Sequence, residues 1–115
     1  MGVRTGAEFI NGLQDDREVW LGNERIGDVT THPAFRPAIH NIARLYDLQH
    51  DADFSETLCY DSPTTGDPVG VSFLIPQTRG DLARRRVMYK VWADATCGMM
   101  GRSADFLNTM VTAWA

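Results

Sequence analysis

Residues Leu82 to Met100, "LARRRVMYKVWADATCGMM", decide what kind of chain this is. Leu82, Tyr89, Trp92, Ala95 and Met99 recur in three- and four-residue steps or their sums, the spacing of one α-helical face. Thr78 and Asp81 stand ahead of them as a capping pair, and Gly98 and Gly101 bring the helix to a close. Ser103 is then a natural N-cap for a further helix, "ADFLNTMVTAWA", in which Phe106, Met110, Val111 and Trp114 share a face.

Working back toward the N-terminus, "TGAEFINGLQ" opens with a second capping box, Thr5 with Glu8, and predicts a first helix ending near Gly12 to Gln14. "REVWLGNERIGDV" holds two β-prone runs around Gly22-Asn23, which predicts a tight hairpin. Pro33 and Pro37 fit only a first helical turn, so the main helix is expected from about Pro37 to His50, with Ile39, Ile42, Ala43 and Tyr46 on its apolar face. "YDSPTTGDPVG" reads as a loop or a wide hairpin tip, with "VSFLIP" as a strand beyond it and "ETLCY" as the ladder partner. The expected fold is mainly α with two short β-hairpins.

The final helix carries neither a C-cap glycine nor a basic last turn, and its Trp114 belongs to a face that expects to be buried. This predicts a front piece of something longer.

The 115 residues suit one small domain, and 43% hydrophobic with 23% charged residues is ordinary for a folded chain. A net charge of -4, without a basic stripe, argues against nucleic acid. No run approaches the roughly eighteen apolar residues of a membrane span, and the N-terminus lacks the features of a signal peptide. The expected compartment is the cytoplasm, with Cys59 and Cys97 as reduced thiols in or near the core.

His32, His40 and His50 have no metal-ligand spacing with one another or with the cysteines, so no metal is expected. His32 is placed at a helix start, and His40 and His50 on opposed faces of one helix. No G-x-G-x-x-G or Walker loop is present. Arg102, in "TCGMMGRSADF", stands between a helix end and a helix start, where an arginine is usually solvated or pairs with a carboxylate.

Two stretches add a resemblance. "RTGAEFINGLQDDREVWLGNERIGDVTTHPAFRPAIHNIARLYDLQHD" and "DLARRRVMYKVWADATCGMMGRSADFLN" cover most of the chain. They resemble the N-terminal part of the two-component flavin-dependent aromatic hydroxylases typified by the oxygenase component of 4-hydroxyphenylacetate 3-monooxygenase. The motifs "TGAEF", "DVTTHPAFR", "ARLYDLQHD" and "GMMGRS-D" occur in that family's order.

The resemblance implies an acyl-CoA-dehydrogenase-like fold, with residues 1–115 as its N-terminal helical domain, or most of it. A central β-barrel, a C-terminal helical bundle, the flavin site and the family's catalytic histidine would lie beyond residue 115. A separate reductase would supply FAD as FADH2, and reaction with O2 to a flavin C4a-hydroperoxide would hydroxylate a phenolic ring. The full-length protein would be a homo-oligomer, tetramer or dimer, and the 115-residue piece alone inactive.

Arg102 is the residue to which the resemblance gives the phenolic oxygen, a role that a permanently charged bidentate donor suits. Phe106 stands where the 4-hydroxyphenylacetate enzymes usually carry a tyrosine, so a different aromatic substrate is open. Two alternatives stand beside this reading. One is a non-catalytic helical interaction or remnant domain. The other is a relative of the flavin and iron-sulfur 4-hydroxybutyryl-CoA dehydratase, which needs cluster cysteines where only Cys97 is available.

Overall fold

The computed structural model describes residues 2–99 and 107–114. They fall into two compact units, Arg4–Asp47 and Met1–Val3 with Leu48–Ala115.

In the first unit Thr5 starts helix α1, Gly6–Asn11, and Gly12 caps its end. The predicted capping box forms: the Glu8 N–H donates to Thr5 Oγ1 at 3.2 Å and the Thr5 N–H to Glu8 Oε2 at 2.7 Å. Strands β1, Val19–Leu21, and β2, Glu24–Ile26, pair antiparallel with Val19 opposite Ile26. Gly22 at φ 61° supplies the left-handed backbone their two-residue turn requires.

Helix α2 runs Arg36–Leu48 with Pro37 in its first turn. It starts one residue before the expected bound and ends two residues before it, at a turn in which the Asp51 N–H reaches the Leu48 carbonyl. His50 therefore lies beyond α2, not on the face opposite His40. Ile39 and Ala43 are buried as the spacing predicts, and Leu45 joins them.

Helix α1 lies close on α2. The Gly6 N–H donates to Asp47 Oδ1 at 2.7 Å, and Phe9 stacks on Tyr46 with ring centroids 4.9 Å apart. A Cβ on Gly6 would sit 2.5 Å from the Ala43 carbonyl oxygen. Only glycine lets the two backbones approach this far.

The second unit holds α3, Ser55–Leu58, then β3, Cys59–Asp61, paired antiparallel with β4, Pro68–Gly70. A 3-10 turn follows at Val71–Phe73, then α4, Arg79–Ala95, and α5, Asn108–Trp114. Leu58, Val71 and Met88 form the core, with Phe54, Tyr60, Leu74, Val91 and Trp92 packed around it.

This hairpin corrects the sequence expectation. "VSFLIP" does not pair as a strand, and "ETL" is helical. The loop closes tightly, with the Gly66 N–H on the Ser62 carbonyl at 2.8 Å and Gly66 at φ 74°, so pairing begins at once with Asp61 opposite Pro68. The carbonyls of Ser72 and Leu74, which a strand would give to a ladder, accept instead from the Arg85 guanidinium.

The Thr78–Asp81 capping box of α4 forms as predicted. The buried face of α4 differs from the expected one, because Leu82 and Met99 are exposed while Arg85 and Met88 are buried.

Candidate functional site

Arg102 and Phe106 lie outside the described residues, as do Gly101 and Ser103. Just before them, Thr96 caps α4, its Oγ1 donating to the Trp92 carbonyl at 2.7 Å. The Gly98 N–H then reaches back to the Ala93 carbonyl at 2.8 Å. Cys97 at φ 52° and Gly98 at φ 80° are both left-handed. Gly98 was expected to close the helix; a left-handed cysteine beside it costs roughly 1–2 kcal/mol. That turn points the Cys97 side chain outward, so this thiol is exposed instead of lying in or near the core.

The most developed polar arrangement among the described residues centres on Arg85, which α4 aims inward beside Met88. Arg85 is 4% exposed. Its Nη1 donates to the Ser72 carbonyl at 2.9 Å and the Leu74 carbonyl at 2.7 Å. Its Nη2 donates to both Tyr89 Oη and Thr109 Oγ1, and those two hydroxyls lie 3.0 Å apart. One planar fork thus ties the 3-10 turn, α4 and α5 together, which a flexible lysine could not do.

Beside this fork opens a cavity of about 630 Å³. Ile75, Pro76, Leu82 and Ala113 give it apolar lining, and Arg85, Arg86, Tyr89, Thr109 and Thr112 add side chains with polar ends. Thr112 Oγ1 is buried and has no hydrogen-bond partner. Sequence reading missed this site because three consecutive arginines, Arg84 to Arg86, look like a solvated patch. Spacing did not single it out either, because Arg84 stands four and eight residues and Arg85 three and seven residues before Met88 and Trp92, all of them steps along one helical face.

The remaining candidates are dispersed. His32 caps the turn into α2, its Nδ1 accepting from the Ala34 N–H at 3.2 Å, while its Nε2 lies 4.0 Å from Glu24. His40 lines a separate cavity with Arg36 and Pro37. Among the described residues no three His, Cys, Asp or Glu side chains are grouped to hold a metal. The half-buried Cys59 thiol lies 3.7 Å from the Gln49 carbonyl, and burial pushes its pKa up. Among the described residues no helix is long and apolar enough to cross a membrane.

With this geometry in place, likeness to known proteins carries weight. The oxygenase component of 4-hydroxyphenylacetate 3-monooxygenase from Thermus thermophilus is 50% identical over 114 residues, covering 98% of this chain and 23% of that protein. A crystal structure of such an oxygenase component, complexed with FAD and 4-hydroxyphenylacetate, superposes with a TM-score of 0.87 at 49% identity, over 96% of this chain and 23% of that one. The 4-hydroxybutyryl-CoA dehydratase of N. maritimus superposes at 0.74 with 28% identity, over 92% of this chain and 21% of its own. The chain thus spans about a quarter of the length of the relatives it matches. Residues 5–115 match the family described as 4-hydroxyphenylacetate 3-hydroxylase N terminal, and the chain belongs to that family.

Proposed function

We propose that this chain is the N-terminal portion of a flavin-dependent monooxygenase that hydroxylates a phenolic or related aromatic ring, with FADH2 from a separate reductase and O2 as co-substrates. The observation that carries the reading is the 50% identity with the Thermus oxygenase component across nearly the whole chain. The weaker likeness to the dehydratase, 28% against 49%, ranks that chemistry second.

The described residues do not by themselves fit a flavin dinucleotide. The cavity beside Arg85 has the size of a pocket for a drug-sized ligand, smaller than a flavin dinucleotide needs. No glycine-rich phosphate loop occurs in the sequence. The chain alone should therefore neither bind FAD tightly nor hydroxylate. Its own contribution on this reading is Arg102, whose fixed charge would hold the phenolic oxygen, with Phe106 setting which ring fits beside it.

A chimera tests the proposal. This chain would replace the matching first quarter of the Thermus oxygenase component, and the product would be assayed with reduced FAD, O2 and a panel of phenols. Hydroxylated product from any phenol supports the reading; a folded chimera that consumes O2 and hydroxylates none of them counts against it.

A further inference from the structure

We propose that Arg85, Tyr89 and Thr109 are positioning residues for the hydroxylation: their hydrogen bonds hold the C-terminal end of the connection between α4 and α5, and so set where Arg102 meets the phenolic oxygen. The inference rests on the proposed function and adds to it residues that act through Arg102 instead of on the ring.

In sequence, Arg102 and Phe106 stand between two sets of described contacts, and both sets are built on α4. On the N-terminal side, Thr96 Oγ1 donates to the Trp92 carbonyl at 2.7 Å, the Gly98 N–H to the Ala93 carbonyl at 2.8 Å and the Met99 N–H to the Thr96 carbonyl at 3.0 Å. On the C-terminal side, three residues after Phe106, the Thr109 hydroxyl accepts from Arg85 Nη2 and lies 3.0 Å from Tyr89 Oη. Arg85 and Thr96 are eleven positions apart, about 16 Å along the helix axis. One rigid element thus fixes both points between which the connection must pass.

Holding the fold together does not by itself require this arrangement. Arg85 is 4% exposed, and a buried charge is costly to desolvate, whereas a well-packed apolar side chain would join α4 to its neighbours without that penalty. What the guanidinium adds is direction. Its planar fork donates along fixed lines, to the Ser72 and Leu74 carbonyls from Nη1 and to the Tyr89 and Thr109 hydroxyls from Nη2. Helix α5 needs that direction, because none of its described residues is fully buried and apolar contact with the 3-10 turn is non-directional. Among the described residues of α5, Thr109 is the one whose side chain fixes a register against α4. Register matters for the chemistry, since a misplacement of about 1 Å at a reacting group costs roughly a hundredfold in rate.

The Thermus chimera tests this with three variants. Thr109→Val removes the hydroxyl at nearly constant shape, Thr109→Ser keeps it, and Thr78→Ala removes a cap at the far end of α4. Hydroxylated product and hydrogen peroxide are measured per flavin oxidised, together with the melting temperature. Thr109→Val should lower the ratio of product to peroxide about fivefold while flavin is still oxidised, and Thr109→Ser should restore it. Thr78→Ala should lower the melting temperature and leave the ratio unchanged. The double variant of Arg102→Ala with Thr109→Val should hydroxylate no worse than Arg102→Ala, because Thr109 acts through Arg102. Tyr89→Phe, which removes the neighbouring hydroxyl, carries the same expectations if Thr109→Val does not fold. A parent chimera that hydroxylates nothing overturns the proposed function and this inference with it. With a hydroxylating parent, this inference alone is overturned by an unchanged ratio in Thr109→Val, by an equal fall in Thr78→Ala, or by losses that multiply in the double variant.

Discussion

In the chimeric oxygenase, Arg102→Ala should leave reduced-flavin oxidation intact while hydroxylation falls, so that O2 is consumed to hydrogen peroxide. Loss of one charge-assisted hydrogen bond, about 1.5–3 kcal/mol, corresponds to roughly a tenfold to hundredfold loss of productive binding. Phe106→Tyr should shift preference toward phenols that can accept from the restored hydroxyl. Product and peroxide measured per flavin oxidised decide both, and equal hydroxylation by Arg102→Ala would make Arg102 structural. Residues differ in how far they could be read. Arg102 stood out because it lies in a short motif that a resemblance could recognise. Arg85 did not, because its role is defined by carbonyls 11 and 13 residues before it and by a hydroxyl 24 residues after it.

Secondary elements were legible where their causes are local. Both capping boxes follow from residues three apart, and both formed. Thr78→Ala should therefore destabilise the chain by about 1 kcal/mol, measured by urea unfolding. The effect should fade in acid. The backbone N–H of Gln77, followed by the hydroxyl and N–H of Thr78, holds the Asp81 carboxyl below its ordinary pKa. Its stabilisation is complete above the ordinary aspartate range and is lost as pH falls through the depressed value. A flat pH dependence of the Thr78→Ala difference would contradict this. The second hairpin was misplaced for the opposite reason, since a side chain distant in sequence takes the carbonyls that "VSFLIP" would have used. Gly6 shows the same limit: nothing near it in sequence announces Ala43. Gly6→Ala should cost about 1–3 kcal/mol and lower the melting temperature, because the carbonyl it would strike is helical backbone that cannot move aside. An unchanged melting temperature would refute the close approach of α1 to α2.

At the scale of the molecule, α5 presents apolar groups outward: Val111 is 55% and Trp114 80% exposed, with Leu107 beside them. A face of this kind on a 115-residue chain should drive self-association, seen as a sedimentation coefficient that rises with concentration. A clean monomer at every concentration would contradict it. Helix α5 is described over Asn108–Trp114, and none of its described residues is fully buried. Arg85 and Tyr89 hold it at Thr109, where it packs against the 3-10 turn. Losing the polar contacts at Thr109 loosens the helix from the 3-10 turn it packs against, so the amides of α5 should exchange with deuterium faster than those around the Leu58–Val71–Met88 core, through local unfolding that leaves that core closed.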